Sequence, residues 1–234
     1  MLHSHAYMCT VISYPYVHTY SPNMKFLYFV AHTAQTCVAF MHGFPDTLFT
    51  WYFFLDHFDH LGYFVISLSL RGVESSSGTS CSSQQGSCDF RVDRIAEDYG
   101  ERLGSVSGCA SWHIVGHDWG AVIGRLMLSP ALPGAIRVKT FTSSAIPELE
   151  GFPLRALFSA PIQLLSSWYF FFMQLPVAEF CFSFVVEHLL CQWTTRKSAH
   201  VEAHALHVKE RVARDTGAVR SAFIEYYRQN IWGE

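Results

Sequence analysis

The residues best spaced for chemistry are Val115-Gly116-His117-Asp118-Trp119-Gly120-Ala121. A short run, Trp112-His113-Ile114-Val115, precedes the turn and reads as a buried strand. Val122-Ile123-Gly124-Arg125-Leu126-Met127-Leu128 follows and reads as an amphipathic helix. Glycines two residues either side of one polar residue, between strand and helix, form the G-x-Nu-x-G turn that presents a nucleophile. The cause of the spacing is steric. The turn residue is held in a strained backbone conformation, and side chains at its −2 and +2 neighbours would collide with strand and helix. Here the polar residue is Asp118. A carboxylate attacking carbon forms an alkyl ester in place of an acyl ester, which changes the substrate class. The competing reading of Asp118 is a helix N-cap, since Asp at such a junction accepts backbone N–H groups in any case.

The elements that must position this turn follow from hydrophobic patterning. Tyr16–Thr19, a turn at Ser21-Pro22-Asn23, and Phe26–Val30 read as a hairpin. Thr36–Met41 is a continuous apolar run, as expected for a parallel strand covered on both faces, and it leads into His42-Gly43-Phe44-Pro45-Asp46. Helical spacing from Thr47 to Leu61 is followed by a strand at Tyr63–Leu68, a Ser/Gly/Gln-rich loop over Arg71–Cys88, a helix at Phe90–Leu103 and a strand at Val138–Ser143. Strands alternating with helices at this pitch predict an α/β fold with a mostly parallel, doubly wound sheet. From Glu148 the chain is aromatic and helical, without a clear strand. Residues 1–147 are therefore expected to form the core, and residues 148–234 a helical cap at the carboxyl edge of the sheet.

Composition narrows the classes. Half of the 234 residues are hydrophobic and the net charge is −3, with no block of like charge, which gives no support for nucleic-acid binding. Seven cysteines at irregular spacings, without a C-x-x-C pair, predict reduced thiols in the cytoplasm. The 13 histidines are scattered and match no metal-ligand spacing, so no metal is expected. Ala156–Ala178 is uncharged but broken by Pro161 and Pro176, and it reads as an apolar cap segment; no stable membrane span is expected.

His42-Gly43-Phe44-Pro45, Gly116-His117-Asp118-Trp119-Gly120 and the order of elements together resemble the α/β-hydrolase superfamily, and within it the epoxide hydrolases. The resemblance runs from about Tyr16 to the C-terminus and implies the α/β-hydrolase fold. It implies Asp118 as nucleophile, with the backbone N–H groups of Phe44 and Trp119 as the oxyanion hole and their side chains as pocket wall. Trp168-Tyr169-Phe170-Phe171-Phe172-Met173-Gln174-Leu175-Pro176 resembles the family's first cap motif, and Glu225-Tyr226-Tyr227-Arg228-Gln229-Asn230 its second. They imply Tyr169 and Tyr227 as paired acids. Two phenols donating to one oxygen suit an opening epoxide, whereas a halide needs no acid. Read alone, each tyrosine is equally a core aromatic. His42 reads as a structural hydrogen-bonding residue. A small-molecule epoxide is the implied substrate, no cofactor is implied, and a haloalkane dehalogenase relative is the alternative.

The second half of the chemistry is harder to find. A histidine must activate water to cleave the alkyl ester, and a carboxylate must orient it. In the family both follow the cap on loops after two further core strands, while this sequence ends at Glu234, directly after the second tyrosine motif. The expectation is a truncated epoxide hydrolase with little turnover alone; the alternative is a catalytically dead binding or dimerising module. An open sheet edge would favour self-association. The family's Asp-x-Arg-Gly-x-Gly-x-Ser loop reads here Ser69-Leu70-Arg71-Gly72-Val73-Glu74-Ser75, with a different geometry implied.

Overall fold

The computed structural model describes residues 16–21, 24–29, 36–73, 89–146, 165, 167–193, 208 and 217–231. β1 (Tyr16–Ser21) and β2 (Met24–Phe29) form the expected antiparallel hairpin. β3 (Cys37–Met41), a 3₁₀ turn (Leu48–Trp51), α1 (Tyr52–His60), β4 (Phe64–Leu68), α2 (Val92–Gly104), β5 (Trp112–His117), α3 (Trp119–Leu126) and β6 (Val138–Ser144) follow. The strand order is β1-β2-β4-β3-β5-β6. β2 meets β4 antiparallel, and β4, β3, β5 and β6 run parallel. The elbow helix begins at Trp119, three residues earlier than its apolar periodicity suggests, because Asp118 itself is the turn.

Alternation along the strands splits the core into two layers. Cys37, Ala39 and Met41 of β3 share a buried cluster with residues of α2, α3 and the helices after β6, with Ile66, Trp112 and Ile114 beside them. Val38 and Phe40 point to the opposite face, where Leu48, Trp51 and Leu55 cover them. The carboxyl end of β3 is fixed beside the elbow by register, since Met41 pairs with Gly116.

After β6 the described residues form α4 (Trp168–Phe172), α5 (Ala178–Trp193) and α6 (Ala218–Asn230). Tyr169, Met173, Phe182, Phe223 and Tyr227 share one buried cluster with Phe44, Leu68 and Trp119 of the core. Gly72 permits this approach: its φ is +80°, and a Cβ there would lie 2.8 Å from Ala222 Cβ of α6. The apolar stretch 156–178 lies partly outside the described residues, and its described part turns at residues 173–177 between α4 and α5. Among the described residues no helix is long and apolar enough to cross a membrane.

The cysteine reading needs correction. Reduced thiols were expected throughout, but Cys37 and Cys109 are joined by a disulfide. Cys37 opens β3 opposite Trp112, and Cys109 lies in the loop that enters β5, so the sheet register brings them together across 72 residues of sequence. No local spacing signal could reveal such a pair. Cys181 carries a free thiol.

Candidate active site

Asp118 occupies a strained position, φ 53° and ψ −123°, where side chains rarely reside. The strain is imposed by close packing on both sides. A Cβ on Gly116 would sit 2.5 Å from Gly120 O, and one on Gly120 would run into the carbonyls of Met41 and His42. Ser144 O at the end of β6 accepts the Asp118 N–H at 3.2 Å, so the turn is tied to three strand ends. The carboxylate does not cap α3 as an N-cap side chain would. It accepts the Phe44 N–H at Oδ1 across 2.8 Å, and the Trp119 N–H as well.

The loop after β3 is built to deliver that first amide. Leu70 N–H donates to His42 Nε2 at 3.0 Å, which leaves the proton on Nδ1 to donate to Gly43 O at 3.0 Å. His42 is thus fully buried and structural, as its sequence context implied. The Phe44–Pro45 peptide is cis. Gly43 is the residue that sequence reasoning passed over: a Cβ there would overlap the Asp118 carboxylate and the Trp119 amide. Its only signal was its place in the His-Gly-Phe-Pro run.

The Phe44 ring is more than pocket wall. It is 2% exposed and packs against Tyr169, Phe182, Phe223 and Tyr227 at centroid distances of 6.2, 6.0, 5.2 and 5.5 Å. Tyr227 also packs edge-on against Trp119 at 5.2 Å and against Tyr169 at 5.9 Å. The two tyrosines, 58 positions apart in sequence (227 minus 169), therefore meet above the residues that hold Asp118. The Tyr227 hydroxyl is buried within hydrogen-bonding reach of the Trp119 indole N–H and of the Tyr169 hydroxyl, although its alignment with the indole is poor.

Electrostatics follow from burial. Burial raises the pKa of the Asp118 carboxyl, against the lowering effect of the Phe44 and Trp119 amides and of His117. Burial and then the Asp118 charge push both Tyr169 and Tyr227 well above the ordinary phenol value. Both phenols stay protonated at neutral pH and remain donors. His117, next to Asp118 in the chain, has Nδ1 3.3 Å from Asp46 Oδ2, an ion-pair distance without good hydrogen-bond alignment. Burial lowers its pKa, but Asp46 and Asp118 outweigh this and the net direction is upward. Among the described residues no group of three or more His, Cys, Asp or Glu is arranged to hold a metal.

The chain matches the family model described as alpha/beta hydrolase fold over residues 37–176. It is 28% identical to Epoxide hydrolase 4 of Homo sapiens over 227 residues, covering 91% of this chain and 58% of that protein. It is 30% identical to Epoxide hydrolase 3 of Xenopus tropicalis over 141 residues, covering 58% of this chain and 34% of that protein. Epoxide hydrolases from metagenomes of hot environments share the fold with a TM-score of 0.65 at 21% identity, covering 88% of this chain and 66% of theirs. An epoxide hydrolase from Vigna radiata gives 0.60 at 20% identity, over 88% of this chain and 67% of its own. The chain thus spans less than two thirds of the length of the curated relatives it matches.

Proposed function

Because this chain belongs to the alpha/beta hydrolase fold family, we propose that it opens a small-molecule epoxide by forming a hydroxyalkyl ester on Asp118. The observation that carries the reading is the meeting of one carboxylate, held by two amides, with two buried, protonated phenols. Asp118 forms a C–O bond to one epoxide carbon as that carbon's bond to the ring oxygen breaks. The electron pair goes to the oxygen, which takes a proton from Tyr169 or Tyr227 while the other phenol donates to it. The phenolate left behind regains its proton from water. The phenols favour epoxides over haloalkanes, because a halide departs without a proton.

Release of a diol requires water activated by a base. Among the described residues, His42 is held between Leu70 and Gly43, and His117 faces Asp46. On this reading the ester persists, with neither His42 nor His117 acting as that base. The test is intact mass after incubation with styrene oxide, beside Asp118→Ala and a 1-bromoalkane arm. A lasting Asp118-dependent adduct of one epoxide mass supports the reading. No adduct in folded protein, or alkylation by the haloalkane alone, refutes it.

Three companion proposals complete the reading. Residues 1–147 act as the core and 148–234 as a cap that carries the two acids. β6 has only β5 beside it among the described residues, and an open strand edge recruits another strand; self-association there would appear as a mass increase with concentration in sedimentation. The cytoplasmic expectation meets a contrary observation in the Cys37–Cys109 bond, which persists best in an oxidising compartment. Thiol alkylation in freshly lysed cells decides between the two.

A further inference from the structure

Tyr227 stands in the last turn of α6, three residues from its end. Helix ends leave carbonyls unpaired and fray unless something outside the helix holds them. Here the last turn is held from two sides. Towards the core, Gln229 Oε1 accepts the Phe90 N–H at 2.7 Å and Asn230 Oδ1 accepts the Val92 N–H at 2.9 Å. Asn230 Nδ2 donates to Phe90 O at 2.9 Å and back to Tyr226 O at 2.8 Å. These bonds also serve α2, whose own N-cap residue, Arg91, supplies no side-chain cap.

Towards α4 the bonds run both ways. Gln174 Nε2 donates to Tyr227 O at 3.0 Å, and Arg228 donates to Met173 O at 3.3 Å and Leu175 O at 3.2 Å. The carbonyl of Tyr227 itself is thus pinned to the segment that follows Tyr169. Neither Asn230 nor Gln174 needs to touch a substrate to matter. Each fixes the backbone from which the Tyr227 phenol projects toward Trp119 and Asp118.

We propose that Asn230 and Gln174, with Gln229 and Arg228 beside them, are positioning residues that hold the Tyr227 hydroxyl in place over Asp118. The inference rests on the epoxide reading above and deepens it. It assigns the polar residues flanking both tyrosines to alignment of the acid.

The test is single-turnover alkylation of the 234-residue chain by styrene oxide, followed by intact mass across epoxide concentrations. The variants are Asn230→Ala, Asn230→Asp, Gln174→Ala, Tyr227→Phe, and Tyr227→Phe combined with each alanine change. Misplacing a catalytic group by about 1 Å costs roughly 100-fold, so Asn230→Ala and Gln174→Ala are expected to lower the maximal rate by about 10- to 100-fold. The half-saturating epoxide concentration should move little. In the Tyr227→Phe background neither alanine change should slow alkylation further, because the group they position is already gone. Asn230→Asp keeps the acceptor for Val92 N–H at the start of α2, where negative charge is favoured, but loses the two bonds donated to Phe90 O and Tyr226 O, and should recover only part of the rate. A purely structural role would not produce that pattern. Wild-type rates in the alanine variants, or losses that multiply with Tyr227→Phe, overturn the proposal. Gln174 and Asn230 act from opposite sides, so the cycle survives if one variant does not fold. A wild-type chain that forms no adduct refutes the epoxide reading and the positioning role with it.

Discussion

Gly43→Ala should silence Asp118 while leaving the fold largely standing. Gly43 has no left-handed φ, so an alanine there meets no backbone strain, only crowding. Its Cβ would come within 3.0 Å of Asp118 Cβ, Asp118 Oδ1 and the Trp119 amide. Carbon contacts are comfortable at about 3.5–4.0 Å, so the carboxylate or the Phe44 loop must yield by something approaching 1 Å. Either movement breaks the 2.8 Å bond from Phe44 N–H to Asp118 Oδ1. Loss of one such donor costs about 10²- to 10³-fold in rate, and a displacement of about 1 Å costs on the order of 10²-fold. The two penalties describe the same event, so alkylation of Asp118 by styrene oxide should fall by at least about 100-fold. Overpacking should cost stability only about 1–3 kcal/mol.

The pH profile of the same assay gives a second readout. Alkylation needs the carboxylate, whose pKa is already raised by burial and held down in part by the Phe44 amide. Breaking that amide bond raises the pKa again, so the acid limb of the profile should move to higher pH in Gly43→Ala. Gly104→Ala is the matched control, since a Cβ there meets only Ile136 Cγ2 at an ordinary 3.7 Å. A Gly43→Ala protein that alkylates at the wild-type rate, with an unmoved acid limb, would refute the contact argument at its root.

Two further outcomes are expected. The folded pKa of His117 is raised above 6.5, chiefly through Asp46 once burial is overcome. The pair's contribution to stability is therefore fully present below pH 6.5 and lost as pH rises through the folded value. Asp46→Asn should lower the His117 pKa in NMR titration and flatten that part of the stability profile. Cys109→Ser opens a loop spanning a separation of 72 residues. Chain entropy for a loop of that size assigns about 4 kcal/mol, so denaturant melts should show a large loss that matches reduction of the wild type.

The sheet was legible because its signal is local. β3 and β4 are short apolar runs bounded by polar loops, and the pattern places both within a residue of their observed starts. The elbow was legible because sterics dictate it: only glycine fits at 116 and 120, so the motif carries its own geometry into sequence. Other features depend on register, which no window of sequence contains. Cys37 meets Cys109 only because β3 pairs with β5. Asp46 meets His117 only because the β3 loop folds over the elbow. The polar residues around Tyr227 were visible as a motif, but what they bind is the start of α2, about 140 residues away.

Phe44 joins Asp118 and the aromatic side chains of α4, α5 and α6 into one energetic unit. Its amide holds Asp118, and its ring is the shared wall of Tyr169, Phe182, Phe223 and Tyr227. The ring cannot leave the aromatic cluster without dragging the amide, and the amide cannot leave the carboxylate without opening the cluster. Packing of α4, α5 and α6 against Phe44, which buries the two phenols, therefore also aligns the donor that steadies the carboxylate. The same burial raises the pKa of the Asp118 carboxyl and of the Tyr169 and Tyr227 phenols. Both shifts have one cause, exclusion of water by the packing around the site, and it strengthens every hydrogen bond inside the site as it destabilises the charge on Asp118. A carboxylate held at a cost in a dry site, beside two buried phenols that stay protonated, is the state the proposed attack on a neutral epoxide requires.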